Sequence, residues 1–188
     1  NRFHHSPAKL MSARITPGSI REIGVPAALF AKLAGRKMGT QPPAVFTILA
    51  RTRRVFWGWL AFSGTLMPFG HLSRRESEMV ILSVAHQTES DYEQAHHRRL
   101  GRRAGLSPDE VEALLCGLGV TFTAREQAIL DVVAQLHATG DVDDSTWNNL
   151  RAHLSGREAI ELLLLIGQYE SLAQTLLVLR VPTDQPTR

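Results

Sequence analysis

The chain has 188 residues, a net charge of +3, 44% hydrophobic and 21% charged residues. That suits one well-cored soluble domain, leaves little room for two, and argues weakly against nucleic acid as the main partner. The single cysteine, Cys116, excludes an intramolecular disulfide and fits a reducing, cytoplasmic compartment.

Residues 1–10 read as a tag or upstream extension, with Met11 as a plausible native start, so His4 and His5 are set aside. The expected domain spans 11–182, followed by a flexible tail at 183–188. The N-terminus lacks an apolar core of signal-peptide length. The longest purely apolar run, 162–166, is too short to cross a bilayer, so no membrane association is expected.

In chain order, residues 27–34 read as helical, and Pro42-Pro43 opens a further helix to about Ala50. The aromatic stretch 56–60 continues to a turn at Met67-Pro68-Phe69-Gly70. Five hydroxyl residues then stand three before a glutamate: Ser73/Glu76, Ser90/Glu93, Ser107/Glu110, Thr123/Glu126 and Ser155/Glu158. Each matches the capping box, in which the hydroxyl accepts from the N3 amide and the carboxylate reaches back to the cap amide.

Between these starts apolar residues recur at helical period. Met79, Leu82 and Ala85 form one stripe, widened by Val80, Ile81 and Val84. Ile129, Val132, Val133 and Leu136 form the next, ending at Thr139-Gly140, and Trp147, Leu150 and Leu154 mark a short helix opened near Asp143. The segments 162–169 and 172–179 form a long last helix, apolar almost all round and so expected at the centre. No run alternates with period two and no repeat is strong enough to assert. The expectation is an all-α single domain of roughly seven to nine helices.

Glu78, Ser90, Glu93 and His97 stand out as candidate site residues. Glu93 and His97, four apart, share a helix face, and packing of the preceding helix through a short link brings Glu78 towards the imidazole. Carboxylate plus imidazole is a proton-transfer pair. The plainer readings are that Ser90 and Glu93 are only cap and N3 residue, and that Glu78 is solvated. His96, about 100° round from His97, and His86, on the flank of the Glu78 face, are further candidate contributors. The set Glu78, His86, Glu93 and His97 has metal-binding chemistry, but it matches no strong metal motif, so no metal and no cofactor are expected. Arg98, Arg99, Arg102 and Arg103 read as a solvated face that favours the helix dipole. Cys116, in the apolar stretch 111–118, reads as an inert core residue. Phe56, Trp57, Trp59 and Phe62 read as core or interface, or as the wall of an apolar pocket.

The segment 74–106, with its RRExE–IL–A–YE–HH–GRRAGLS pattern, resembles the carboxymuconolactone decarboxylase family, which includes the alkyl hydroperoxidase D-like proteins. Weaker likeness extends to residues 43–66, with GWLAFSG, to Thr123-Ala-Arg-Glu and to the helix carrying Gly167-Gln-Tyr169. The resemblance implies an AhpD-like helical fold, a homo-oligomer (dimer, trimer or hexamer) and a small-molecule substrate, with Tyr169 as another candidate contributor. In the peroxidase branch the motif is a glutamate, then Cys-x-x-Cys, then a histidine. Glu78 and His97 match its ends, while Ser90 and Glu93 stand where the two cysteines would be. Without those thiols the two-cysteine peroxidase cycle has no nucleophile and no resolving partner. The decarboxylase branch does not need them. The expectation is an acid–base decarboxylase or isomerase on a small anionic substrate, using Glu78, Glu93 and His97, with an arginine from 51–54 or from the basic helix as carboxylate clamp. The rivals are a residual peroxidase using Cys116 and a non-catalytic oligomeric binding module.

Overall fold

A computed structural model describes residues 13–117 and 119–184. The expectations on residues 1–10, on Met11 and on the last four residues of the tail lie outside them. The elements are α1 (Ile20–Ile23), α2 (Val25–Met38), α3 (Ala44–Leu49) with a 3₁₀ turn (Ala50–Thr52), α4 (Arg54–Leu66), α5 (Arg74–Gln87), α6 (Asp91–Arg103), α7 (Pro108–Cys116), α8 (Ala124–Thr139), α9 (Asp144–His153) and α10 (Gly156–Leu179). The all-α class holds, with ten helices and no strand among the described residues. The uncounted helix is α1, a single turn that starts where the Ser19 amide and hydroxyl both donate to Glu22 Oε2 at 2.8 Å.

The central helix is α5, not α10. Met79, Val80, Ile81 and Leu82 are four consecutive residues with no exposed surface, so α5 is covered on all sides, by α6, α7, α8 and α10. One face packs with Val132, Leu150, Leu162 and Ile166, another with Leu106, Val111 and Leu115. Each fully buried aliphatic side chain is worth about 1.5–3 kcal/mol relative to exposure. By contrast, α10 leaves Ile160, Leu164, Leu177 and Val178 exposed. At 24 residues it is long and apolar enough to cross a membrane by length and composition, which the count of its uninterrupted apolar run did not bring out. Here it packs against α4, α5, α6 and α9.

Four of the five expected capping boxes form, at the starts of α5, α7, α8 and α10. Their glutamates do a second job. Arg75 Nε donates to Glu126 Oε1 at 2.7 Å and its Nη1 to Gly105 O at 2.7 Å, and it also pairs with Glu110. Arg125 Nε donates to Glu76 Oε1 at 2.6 Å, Nη1 to His153 O at 2.6 Å and Nη2 to Glu158 Oε1 at 2.7 Å. The two arginines hold equivalent places, second in α5 and α8, and each clasps the cap glutamate of the other's helix. Each also reaches the second helix onward, through the carbonyl two residues before its cap serine (Gly105 for α7, His153 for α10) and through its cap glutamate, in the LS-x-x-E starts of α7 and α10. The starts of α5 and α7 and those of α8 and α10 thus share one pattern of arginine–cap contacts.

The loop between α4 and α5 is held by a buried carboxylate. Glu161 of α10 accepts from the His71 amide at 2.7 Å and the Leu72 amide at 2.9 Å. A Cβ on Gly70 would collide with that carboxylate and with the Leu66 carbonyl, so only glycine fits this approach.

Candidate active site

The turn between α5 and α6 decides where Glu93 points. Glu89 is left-handed (φ 51); its amide donates to His86 O at 3.1 Å, and the Ser90 amide donates to Ala85 O at 2.9 Å. These are the two bonds of a Schellman ending. The Ser90 amide is therefore already used when α6 begins. The fifth capping box does not form, and the Ser90 hydroxyl makes no cap hydrogen bond. Glu93 is left to turn inward.

There it meets His97, one turn on. Glu93 Oε2 lies 3.2 Å from His97 Nε2, and Glu78 Oε2 lies 2.7 Å from His97 Nδ1. Arg74 Nη2 stands 2.7 Å from the other Glu78 oxygen. Glu78 is completely buried, with Glu93 and His97 nearly so. Burial alone would lower the His97 pKa. The Glu78 charge and hydrogen bond, reinforced by Glu93, outweigh it and hold the imidazole at about 9. At neutral pH His97 is an imidazolium donating from both nitrogens, a role for which it cannot also serve as base. Followed from contact to contact the pattern is Arg74⁺, Glu78⁻, His97⁺, Glu93⁻, alternating in sign and balanced.

Glu93, His96, His97 and Tyr169 line a cavity of about 390 Å³, walled by Val45, Phe46, Trp59, Leu60, Leu100 and Leu172. The Tyr169 ring meets His97 edge-on, centroids 5.3 Å apart and planes at 89°. Its hydroxyl is kept protonated by burial and by the Glu93 and Glu78 charges. His96 stacks on Tyr92 at 5.9 Å and 6°, and burial with the neighbouring His97 charge lowers its pKa. The Tyr92 hydroxyl donates to Asp184 Oδ2 at 2.7 Å, while Asp184 Oδ1 accepts from the Ala44 amide at 2.8 Å. Asp184, placed by the sequence in a flexible tail, is thus pinned behind the cavity wall. At another edge of the cavity, Gln168 Nε2 donates to Ser63 Oγ at 2.9 Å.

The structure therefore brings together Glu78, Glu93, His97, His96 and Tyr169. It does not bring in the other two candidates. Ser90 is buried at the α5–α6 turn beside Tyr92 and Leu176, and His86 is exposed. No cluster of three or more potential ligands arranged for a metal occurs among the described residues. Cys116 is exposed at the end of α7, not core, because the apolar face of that helix is carried by Val111, Leu114 and Leu115. Among the described residues no arginine lines the cavity, so the expected clamp is not part of its wall. Arg51 is tied to Glu22, and Arg98, Arg99, Arg102 and Arg103 gather on a separate surface of α6 with Ala95. Arg74 could have been found from its place four residues before Glu78. Asp184, 92 residues from Tyr92, carries no local signal.

Residues 53–135 match the model of the carboxymuconolactone decarboxylase family, a stretch that includes Glu78, Ser90, Glu93 and His97, and the resemblance carried by the motif holds. No curated protein sequence matches the chain. Among solved structures it is similar to an uncharacterized peroxidase-related protein from Silicibacter sp. TM1040, with a TM-score of 0.79 and 17% identity over 95% of this chain and 96% of that one. It is similar too to an uncharacterized peroxidase-related protein from Ralstonia eutropha JMP134, an alkylhydroperoxidase AhpD core (TM-score 0.80, 18% identity, 93% and 92% covered). A third is the debrominase Bmp8, solved as a cysteine-to-alanine variant with 2,3,4-tribromopyrrole (TM-score 0.76, 13% identity, 92% of each chain). The fold is AhpD-like, and with one cysteine the chain has no CxxC pair.

Proposed function

We propose that this variant of the carboxymuconolactone decarboxylase pattern is a cytoplasmic acid–base enzyme, of decarboxylase or isomerase type, acting on a small organic molecule in the cavity beside α6. The observation that carries the reading is the placement of Glu93. Its carboxylate lines the cavity, and its charge is balanced from behind by an imidazolium that Glu78 in turn holds.

In this reading Glu93 is the base. It takes a proton from a substrate carbon beside a carbonyl, and the electron pair moves onto the carbonyl oxygen. Glu93 then returns the proton to a different carbon, so the net change is an isomerisation that needs no co-reactant. His97 positions Glu93 and stabilises its charge; Glu78 and Arg74 position His97. A positioned acid–base group contributes typically 10²–10⁴-fold. Thiol peroxidase chemistry is disfavoured, since Ser90 and Glu93 stand at the thiol positions and Cys116 is not part of the cavity wall.

The test is deuterium exchange followed by NMR. A panel of β,γ-unsaturated ketones and lactones, with and without a carboxylate, is incubated in D₂O with wild-type protein, Glu93→Gln and His97→Ala. Exchange should fall at least 100-fold in Glu93→Gln, in line with the contribution of a general base. No exchange in wild type, or equal exchange in all three, would end this reading. It would leave the non-catalytic binding module, in which the buried ion pairs serve stability alone.

A further inference from the structure

The polar groups that line the cavity are one carboxylate, two imidazoles, two phenols and the Gln168–Ser63 pair. Among the described residues no arginine or lysine is part of the wall. The nearest fixed positive charge, His97, is already shared between Glu78 and Glu93 at 2.7 Å and 3.2 Å. Arg74 is held on the far side of Glu78. Site charges are therefore satisfied internally before any ligand enters.

A carboxylate entering this space would meet the Glu93 carboxylate, while the cation in the wall, His97, is already paired with two carboxylates, in a setting of low dielectric where like charges repel strongly. It would also lose its hydration to walls made by Val45, Phe46, Trp59 and Leu172. An uncharged ring gains from the same walls. If it carries an N–H, an O–H or an acidic C–H, that hydrogen has the Glu93 oxygen as acceptor, and a charge-assisted hydrogen bond is among the stronger ones.

We infer that the ligand of this cavity is an uncharged, weakly acidic ring compound that directs its acidic hydrogen at Glu93, and that carboxylates are rejected. The inference rests on the placement of the site under Proposed function, and it selects isomerisation over decarboxylation, since a decarboxylase must accept a carboxylate.

The test uses three probes of one shape: indole, N-methylindole and indole-3-carboxylate. Binding to the full chain is measured by calorimetric titration and ligand-observed NMR. Indole should bind, and the other two should bind at least tenfold more weakly. In Glu93→Gln the deficit of the carboxylate should shrink several-fold. Leu172→Trp, which fills the cavity, should abolish indole binding while circular dichroism stays unchanged. Equal or tighter binding of the carboxylate, indifference to N-methylation, survival of indole binding in Leu172→Trp, or no binding of any probe would each overturn the inference. If Glu93→Gln does not fold, the wild-type comparisons and Leu172→Trp still decide. These readouts need no turnover, so a failed exchange experiment removes the chemistry without touching the ligand preference, and the reverse also holds.

Discussion

His97 lies between two carboxylates that claim its two ring nitrogens, and this makes its charge part of the fold. Its pKa is raised from 6.5 to about 9 in the folded chain. Between those values the unfolded chain loses a proton that the folded chain keeps. The stabilisation is therefore complete below pH 6.5 and is lost as pH rises to 9. Urea unfolding across pH 6–10 should show wild-type stability declining through this window, and His97→Ala should lack the decline. Glu78 has no exposed surface, so Glu78→Gln leaves two cations short of a counter-charge. Breaking a buried pair in this way costs about 3–5 kcal/mol, measurable as a lowered urea midpoint with unchanged slope. Much of this arrangement was legible: Glu93 and His97 at one helical turn, and Glu78 on the flank of an apolar stripe; Arg74, four residues before Glu78, was the member missed. The direction of Glu93 was not, because the same S-x-x-E spacing that makes four capping boxes also occurs at Ser90.

Helix ends set that direction. The Schellman ending of α5 uses the Ser90 amide and forces Glu89 into a left-handed backbone (φ 51). That region costs a non-glycine residue roughly 1 kcal/mol or more. Glu89→Gly removes this strain but adds freedom to the unfolded chain, so it should raise stability by about 1 kcal/mol at most, with Glu93 still turned inward. At the other end of the bundle, Arg75 and Arg125 tie the starts of α5, α7, α8 and α10 together. Hydrogen bonds to charged groups are worth about 1.5–3 kcal/mol where buried. These guanidiniums are about 30% exposed, so Arg75→Ala should cost about 1–2 kcal/mol. Because both arginines clasp the same pair of helices, the double variant Arg75→Ala/Arg125→Ala should deviate from additivity in thermal unfolding.

At the scale of the whole molecule, the cavity is assembled from distant segments: α3, α4, α6 and α10 all contribute, with Asp184 bracing Tyr92 from the end of the described chain. Asp184→Ala should broaden or shift the His96 NMR signal while leaving that of His97 in place. Ile160, Leu164 and Val178 on α10 are 62%, 48% and 57% exposed, and the 3.6-residue period sets all three on one face of the helix. We propose that a second copy covers them, as the family resemblance implies. Sedimentation velocity should find a wild-type oligomer, and Leu164→Glu should shift it towards monomer.

The amino-acid order by itself determined the helical class, most helix starts and the three charged residues at the site. These depend on spacing within one or two turns, over which side-chain periodicity and capping chemistry act. Only the tertiary structure decided which helix is central, that the Ser90 hydroxyl caps nothing, that Cys116 and His86 face outward, and that no arginine among the described residues lines the cavity. Those outcomes turn on contacts between residues dozens of positions apart, such as Tyr92 with Asp184 and Arg75 with Glu126. A local pattern offers several partners for each polar group, and packing chooses among them by burying some and leaving others in water.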